Sequence, residues 1–335
     1  MRDDIRVLVL GTGQMGAGIA RLLVVKPGLK LVGAFARRTE RAGMDVGAAI
    51  DLGRDLGITV GVELAALIER AQPDIAIQAT CSRIVDAMGE ITMLARHGVH
   101  VISIAEELHW LAVSKGVAVL GTGVNPGFAL DLLVVTLSAV CADIESVTAT
   151  RSNDLSPYGS SVLASQGVGL SPQAFAQGGR DGTVVGHLGF PESMHLIAAA
   201  LGWDIERIEQ TREPVVSRVR RETPLTTVQP GQVAGCHHRA VAYCAGRAVI
   251  TLDHPQQVHP QLEGVATGDR IEIRGSPNVC LSGSPEIPGG EATVALAVNM
   301  IPRVMNAPPG LHTMLDLPVP AALLGDARRV VRERA

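Results

Sequence analysis

A chain of 335 residues with 29 basic and 33 acidic side chains carries a formal charge of −4, too small and too balanced to recruit nucleic acid or an anionic membrane surface by long-range attraction. Its length exceeds one average domain and 47% of its residues are apolar, so two domains sharing one polypeptide are expected, and a small, nearly neutral ligand suits the charge best. The longest uncharged apolar stretch, Leu132 to Ala142, falls well short of the roughly 18 residues that a membrane span requires.

The first β-rich run, Ile5 to Leu10, stops at Gly11. That is too short for the apolar core of an export signal, and no small-residue cleavage pattern follows, so a cytoplasmic location is expected. The run leads directly into Gly11-Thr12-Gly13-Gln14-Met15-Gly16 and a helix predicted over 14–26. In this strand–turn–helix setting Gly11 permits the tight turn and Gly13 lets a pyrophosphate approach the backbone. Gly16 allows close helix–strand packing, and the helix N-terminus supplies N–H donors and a favourable dipole. A dinucleotide is therefore expected at Gly11, Thr12, Gly13, Gln14, Met15 and Gly16.

The second strand, 29–35, decides which dinucleotide. An NAD site usually places a carboxylate near the end of this strand to hold the ribose hydroxyls. Here the end reads Gly33-Ala34-Phe35-Ala36-Arg37-Arg38-Thr39, with no acid. A guanidinium holds a 2′-phosphate bidentately where a carboxylate would repel it, so Arg37, Arg38 and Thr39 favour NADP(H), with NAD(H) still usable.

Further strands are predicted at 74–78, 99–103 and 117–120, alternating with helices at 63–71, 84–97 and 106–115. This is the βαβ pattern of a doubly wound parallel sheet, an α/β Rossmann domain over 1–124. Thr80 and Ser82 follow one strand at the carboxyl edge, where open α/β sheets bind ligands, although Ser82 is equally suited to capping the next helix. Glu106 and Glu107 follow the next strand at the same edge. A carboxylate there suits proton transfer and stabilisation of an iminium ion, and it is as readily explained as first-turn charge on a helix dipole. Asn125, in the crossing Gly121-Thr122-Gly123-Val124-Asn125-Pro126-Gly127, is placed to offer an amide to cofactor or substrate, or to serve in a hinge.

From residue 125 the pattern changes to one helix near 126–141 and long alternating segments, which predict an α+β domain over 125–304 built on a mixed or antiparallel sheet. A Gly/Ser/Gln-rich tract, Ser156 to Gly182, reads as a long loop near a site. A last helix is predicted over 291–304, and the segment 305–335 is expected to pack back on the first domain. Trp110, Phe128, Tyr158 and His195 are candidate pocket walls, and Arg151 and Asp154 either fix a charged substrate or form a structural pair. Five scattered cysteines without a CxxC pair suit reduced thiols. The cluster Cys236-His237-His238 lies in an alternating strand, Val233 to Leu252, that sends neighbours to opposite faces, so no metal site is expected.

Several runs are long and unusual: GTGQMGAGIA at the start, AEEL at 105–108, GTGVNPGFALD at 121–131, RSNDLSPYG at 151–159, GHLGFPES at 186–193, and the end stretch from PEIPGGEATVALAVNMIPRVMNAPP to LPVP. Through them the chain closely resembles the 2,4-diaminopentanoate dehydrogenases and the related native amine dehydrogenases, of the dihydrodipicolinate-reductase-like fold. The resemblance implies a two-domain homodimer that converts a primary amine and NAD(P)+ reversibly to a ketone, ammonia and NAD(P)H. It also implies that a glutamate of the EEL motif, Glu106 or Glu107, is the key catalytic group. His109-Trp110 after that motif and the missing acid of the second strand depart from the family pattern, the first bearing on pocket shape and the second on cofactor choice. An imine reductase, an amino-acid dehydrogenase or a non-catalytic NADP(H) sensor would share such a fold, which does not by itself decide function.

Overall fold

The computed structural model describes residues 3–81, 84–103 and 115–332. The chain divides into two compact units, one of Met1–Gly127 with Pro288–Ala335 and one of Phe128–Ile287.

The first unit opens with β1 (Ile5–Leu10), an almost fully buried strand, followed by α1 (Gln14–Val25), whose buried residues Gly16, Ile19, Ala20 and Leu23 recur at helical spacing. β2 (Leu29–Phe35), α2 (Val46–Ala49), β3 (Val60–Gly61), α3 (Leu64–Ala71), β4 (Ile75–Gln78), α4 (Ile84–Arg96), β5 (His100–Ser103) and β6 (Ala118–Gly121) complete the alternation. The helix predicted over 106–115 lies almost wholly outside the described residues. α2 and its following loop are organised by Asp45, whose carboxylate accepts from the backbone N–H groups of Gly47, Leu56, Gly57 and Ile58.

The second unit begins with α5 (Leu132–Ser138), shorter than the helix expected over 126–141, since Asp131 caps it by accepting from Leu132 N at 2.7 Å. Next come β7 (Asp143–Asp154) and then α6 (Ser160–Ser165), α7 (Pro172–Asp181) and α8 (Phe190–Leu201). The tract expected to be loop is thus largely helical. α7 is fixed by Ser171, whose side chain accepts from Ala174 N, by Pro172 at its start and by left-handed Gly182 at its end. The strands β8 (Arg207–Val216), β9 (Arg221–Glu222), β10 (Thr227–Val228), β11 (Val233–Cys244), β12 (Arg247–Gln257), β13 (Gly268–Ser276) and β14 (Val279–Gly283) follow. Five of them with β7 build a sheet of order β14-β13-β7-β12-β11-β8, mixed because β7 and β12 run parallel while the other pairs are antiparallel; β9 and β10 pair separately. One sheet face packs Val147, Ala149, Ala240, Ile250 and Leu252 against Phe190, Met194 and Ile197 of α8.

The chain returns to the first unit at Pro288, earlier than the expected boundary at 305. α9 (Gly289–Asn299) and α10 (Ile301–Met305) belong there, and β15 (Gly310–His312) pairs in parallel with β6. The reason is close packing: a Cβ on Gly18 of α1 would lie 2.9 Å from Val294 Cγ2 of α9, so a small residue in α1 receives α9 directly. The single helix expected over 291–304 breaks because Pro302 has no N–H to donate to the preceding turn. The completed sheet is all parallel with order β15-β6-β5-β4-β1-β2-β3, and its order reverses between β1 and β4, the switch point beside which such sheets bind ligands.

Candidate functional site

At the switch point the glycine turn shows why each glycine is there. Gly11 has φ +106° and donates to Phe35 O at 2.8 Å, and a Cβ on it would stand 2.6 Å from Ala79 O. A Cβ on Gly16 would collide with the carbonyl oxygen of Gly11, so α1 can lie this close to β1 only with glycine at that position. Gly13 is different: among the described residues nothing lies within 4 Å of where its Cβ would be, and no side chain caps α1. The turn therefore offers open space beside uncapped N–H groups, which fits a dinucleotide pyrophosphate. Thr12 is buried, Gln14 is exposed and Met15 is half-buried, and Arg41 braces the turn by donating to the carbonyl oxygen of Thr12 and to that of Ala49.

The end of β2 carries Arg37, Arg38 and Thr39, all exposed. Arg37 turns towards α4, where its Nε donates to Glu90 Oε1 at 2.6 Å. Glu90 Oε2 accepts from the Thr80 hydroxyl at 2.6 Å, Gln78 Nε2 donates to Thr80 Oγ1 at 2.8 Å, and Ser103 Oγ donates to Gln78 Oε1 at 2.8 Å. One hydrogen-bonded chain thus joins the ends of β2, β4 and β5. Ser82, Glu106, Glu107 and Trp110 lie outside the described residues.

After β6, Gly127 has φ +123° and a Cβ there would stand 2.5 Å from Gly123 O, which makes this crossing a shaped turn. Val124 N donates to Thr293 Oγ1 at 3.2 Å. Both amide atoms of Asn125 are buried without a hydrogen-bond partner among the described residues, an arrangement that costs free energy.

The second unit holds a buried polar cluster that its strand register explains. Along the core face of β7 the apolar residues Val147 and Ala149 give way to Arg151 and Asn153; along β12, Leu252 gives way to His254 and Gln256; along β11, Ala240 gives way to His238. β7 and β12 pair Asn153 with Gln256, and β11 and β12 pair His238 with His254, so the polar positions fall side by side. His254 Nε2 bonds Asn153 Oδ1 at 3.0 Å and His238 Nε2 bonds Gln210 Oε1 at 3.0 Å, while His187 N donates to His238 Nδ1 at 3.0 Å. His187 Nε2 and His254 Nδ1 are buried without partners among the described residues.

Burial pushes the imidazolium pKa down to about 3 for His187 and about 4 for His238, and well below the ordinary value for His254. All three rings are neutral near pH 7. Arg151 is buried, with Nη1 on Asp269 Oδ1 at 2.6 Å and Nη2 on the carbonyl oxygen of Ile287. Its acid is thus Asp269 rather than Asp154. Burial raises the Tyr158 phenol above its ordinary pKa, against the opposing effects of Arg151 and a hydrogen bond with Asn153, which places Tyr158 at this cluster. Phe128 is half-buried. His195 is exposed on α8, and the histidines that build this cluster are His187, His238 and His254 instead. His237 faces the other way and pairs with Asp253 at 2.6 Å, separated from Cys236 and His238 by the strand alternation.

A glycine turn at the switch point of a parallel sheet, joined to an α+β unit with its own buried polar cluster, defines the class of pyridine-nucleotide-dependent dehydrogenases. Residues 128–333 match the family model described as the 2,4-diaminopentanoate dehydrogenase C-terminal domain, and residues 5–104 match the dihydrodipicolinate reductase N-terminus. The chain is 39% identical to a 2,4-diaminopentanoate dehydrogenase of Acetoanaerobium sticklandii, covering 99% of each chain, and 23% identical to an amine dehydrogenase of Streptomyces virginiae, covering 95% of this chain and 98% of that one. The solved amine dehydrogenase of Mycobacterium smegmatis superposes with a TM-score of 0.85 at 27% identity, over 96% of this chain and 98% of that one. The chain belongs to the 2,4-diaminopentanoate dehydrogenase family.

Proposed function

We propose that this chain catalyses the reversible, pyridine-nucleotide-dependent oxidative deamination of a primary amine to a ketone and ammonia, with an amine of the 2,4-diaminopentanoate kind as its substrate class. The observation that carries the reading is the glycine turn, whose open Gly13 and uncapped helix N-terminus suit a dinucleotide, in a chain whose family acts on amines.

The backbone of Gly11 to Gly16 would hold the pyrophosphate, Arg38 and Thr39 with Arg37 would meet a 2′-phosphate, and Thr80, Ser82 and Asn125 would meet the ribose or carboxamide. The nicotinamide ring supplies the hydride acceptor when bound. Glu106 or Glu107 removes a proton from the substrate ammonium and its negative charge favours the iminium ion that loss of hydride leaves. Once that proton has passed to solvent, the same carboxylate would take a proton from the water that adds to the iminium carbon and give it to nitrogen; the C–N bond of the carbinolamine then breaks, ammonia leaves, and the hydroxyl proton returns to the carboxylate as the ketone forms. Trp110, Phe128 and Tyr158 would line the substrate pocket. NADP(H) is the preferred cofactor in this reading and NAD(H) a usable one, in a cytoplasmic homodimer.

The test is absorbance of the reduced nicotinamide, with each oxidised cofactor and a panel of 2,4-diaminopentanoate, simple amines and amino acids. Reduction driven by an amine, abolished by Glu106→Gln or Glu107→Gln with cofactor binding retained, establishes the activity and the residue. Cofactor binding without turnover on any amine would sink it.

A further inference from the structure

Arg37 is the charge that β2 offers in place of an acid, and in the fold it does not stand alone. Its Nε donates to Glu90 Oε1 at 2.6 Å, its Nη2 donates to the Asp86 carbonyl oxygen at 2.5 Å, and the same nitrogen lies 3.4 Å from Cys81 Sγ. Those contacts fix the guanidinium plane. Nη1 makes no hydrogen bond among the described residues.

Glu90 is an unusual residue in its own helix. It lies between Ala87, Ile91 and Leu94 of α4, all of them buried, and is itself only 9% exposed. A buried carboxylate needs partners on both oxygens, and these are Arg37 on one side and Thr80 on the other. Helix α4 therefore delivers to the end of β2 the negative charge that the sequence of β2 omits.

We infer that Glu90 sets the choice between the two nicotinamide dinucleotides: its carboxylate offsets the charge of Arg37, so that a 2′-phosphate meets a neutral pair at Arg37 and preference for NADP rests chiefly on Arg38. The inference rests on the dinucleotide reading of the glycine turn. The sign follows from charge alone. A carboxylate held beside Arg37 repels a phosphate dianion, whereas the unphosphorylated ribose of NAD carries no charge to repel. At separations of several ångströms in a partly exposed site, one such charge changes affinity by about tenfold. Glu90 acts here through Arg37 and Thr80, as a positioning and specificity-determining residue.

Calorimetric titration of the intact protein with NADP+ and with NAD+, without substrate, tests this directly. Glu90→Gln keeps the shape and removes the charge. It is expected to tighten NADP+ binding about five- to twentyfold while NAD+ changes by less than about twofold. Arg37→Gln leaves the carboxylate unopposed and is expected to weaken NADP+ binding more than about tenfold while sparing NAD+. Combining the two should return the NADP+ constant towards that of the wild type. A purely structural role for Glu90 would move both dinucleotides together, so an unchanged ratio of the two dissociation constants in Glu90→Gln, or a selective loss of NADP+ binding, overturns the inference. Should Glu90→Gln fail to fold, the ratio in Arg37→Gln decides, because sparing of NADP+ there is equally fatal. Absence of binding by either dinucleotide to the wild type would remove the cofactor reading itself, and the inference with it.

Discussion

His238 of β11 and His254 of β12 stand directly opposite one another across a buried antiparallel pair, and the ring of His187 lies 4.9 Å, centroid to centroid, from that of His254. All three rings are held neutral by burial, with Phe190 packed 4.8 Å from His187 and 4.7 Å from His238.

This neutrality has a price at acidic pH, and its sign can be worked out. The folded values, about 3 for His187, about 4 for His238 and well below ordinary for His254, lie under the unfolded value near 6.5. As pH falls through 6.5 the unfolded chain takes up protons that the folded rings refuse, so stability falls with pH by up to about 1.4 kcal/mol per pH unit for each ring. His237, raised by its hydrogen bond to Asp253, works in the opposite direction, but it is one group against three. Denaturant unfolding should show about 2–4 kcal/mol less stability at pH 5.5 than at pH 7. His254→Gln should reduce that difference by roughly a third. A stability profile that is flat over this range would show that the cluster protonates without cost.

Gly13 and Gly16 make a matched pair of substitutions. Gly16→Ala drives a methyl group into the carbonyl oxygen of Gly11 and should cost about 2–4 kcal/mol of stability as α1 is pushed off β1. Gly13→Ala meets no atom within 4 Å, so melting temperature should stay close to the wild type while affinity for either dinucleotide falls by at least about tenfold. Calorimetry and thermal melting on both variants separate the effects. Equal destabilisation by both would mean that the space at Gly13 has no such role.

Much of the first unit is legible in the sequence because its strands and helices are local and strongly periodic. The return of the chain at Pro288 is not, since it depends on α9 meeting Gly18 of α1 across most of the sequence. The helical character of α7 had readable signals in Ser171, Pro172 and Gly182, which the low apolar content of the tract obscured. The same lesson holds for the sites. Glu90 breaks the apolar stripe of α4, and Arg151, His238 and His254 continue the buried faces of their strands with polar groups. Each such break predicts a buried partner, but the identity of the partner, Arg37 for Glu90 or Asp269 for Arg151, comes only from strand order and register.

Asp131 ties the two helices on the second unit's core together. It is fully buried, one oxygen accepts from Leu132 N at 2.7 Å and the other from the Ser193 hydroxyl of α8 at 2.8 Å. Ser193→Ala removes one donor and should cost about 1–2 kcal/mol, whereas Asp131→Ala loses the cap and the tether together and should cost about 2–4 kcal/mol. If the double variant is no worse than Asp131→Ala alone in denaturant unfolding, the serine acts through this carboxylate. Full additivity would show that it does not.

Glu263 receives two arginines of very different standing. Arg221 is 1% exposed and uses its whole fork, with Nε on Ser217 Oγ at 2.7 Å, Nη1 on Gln257 Oε1 at 2.8 Å and on Val258 O at 2.5 Å, and Nη2 on Glu263. Arg218 reaches the same carboxylate at 2.8 Å with a side chain that is 84% exposed. A lysine has one compact donor group and cannot reproduce four bonds in a plane, so Arg221→Lys should leave buried acceptors unanswered and cost about 2–4 kcal/mol. Arg218→Ala loses a screened surface pair and should stay within about 1 kcal/mol of the wild type. Denaturant unfolding of the two variants side by side reads the contrast. A larger loss from Arg218→Ala than from Arg221→Lys would reverse the assignment, making the exposed arginine the one that anchors Glu263.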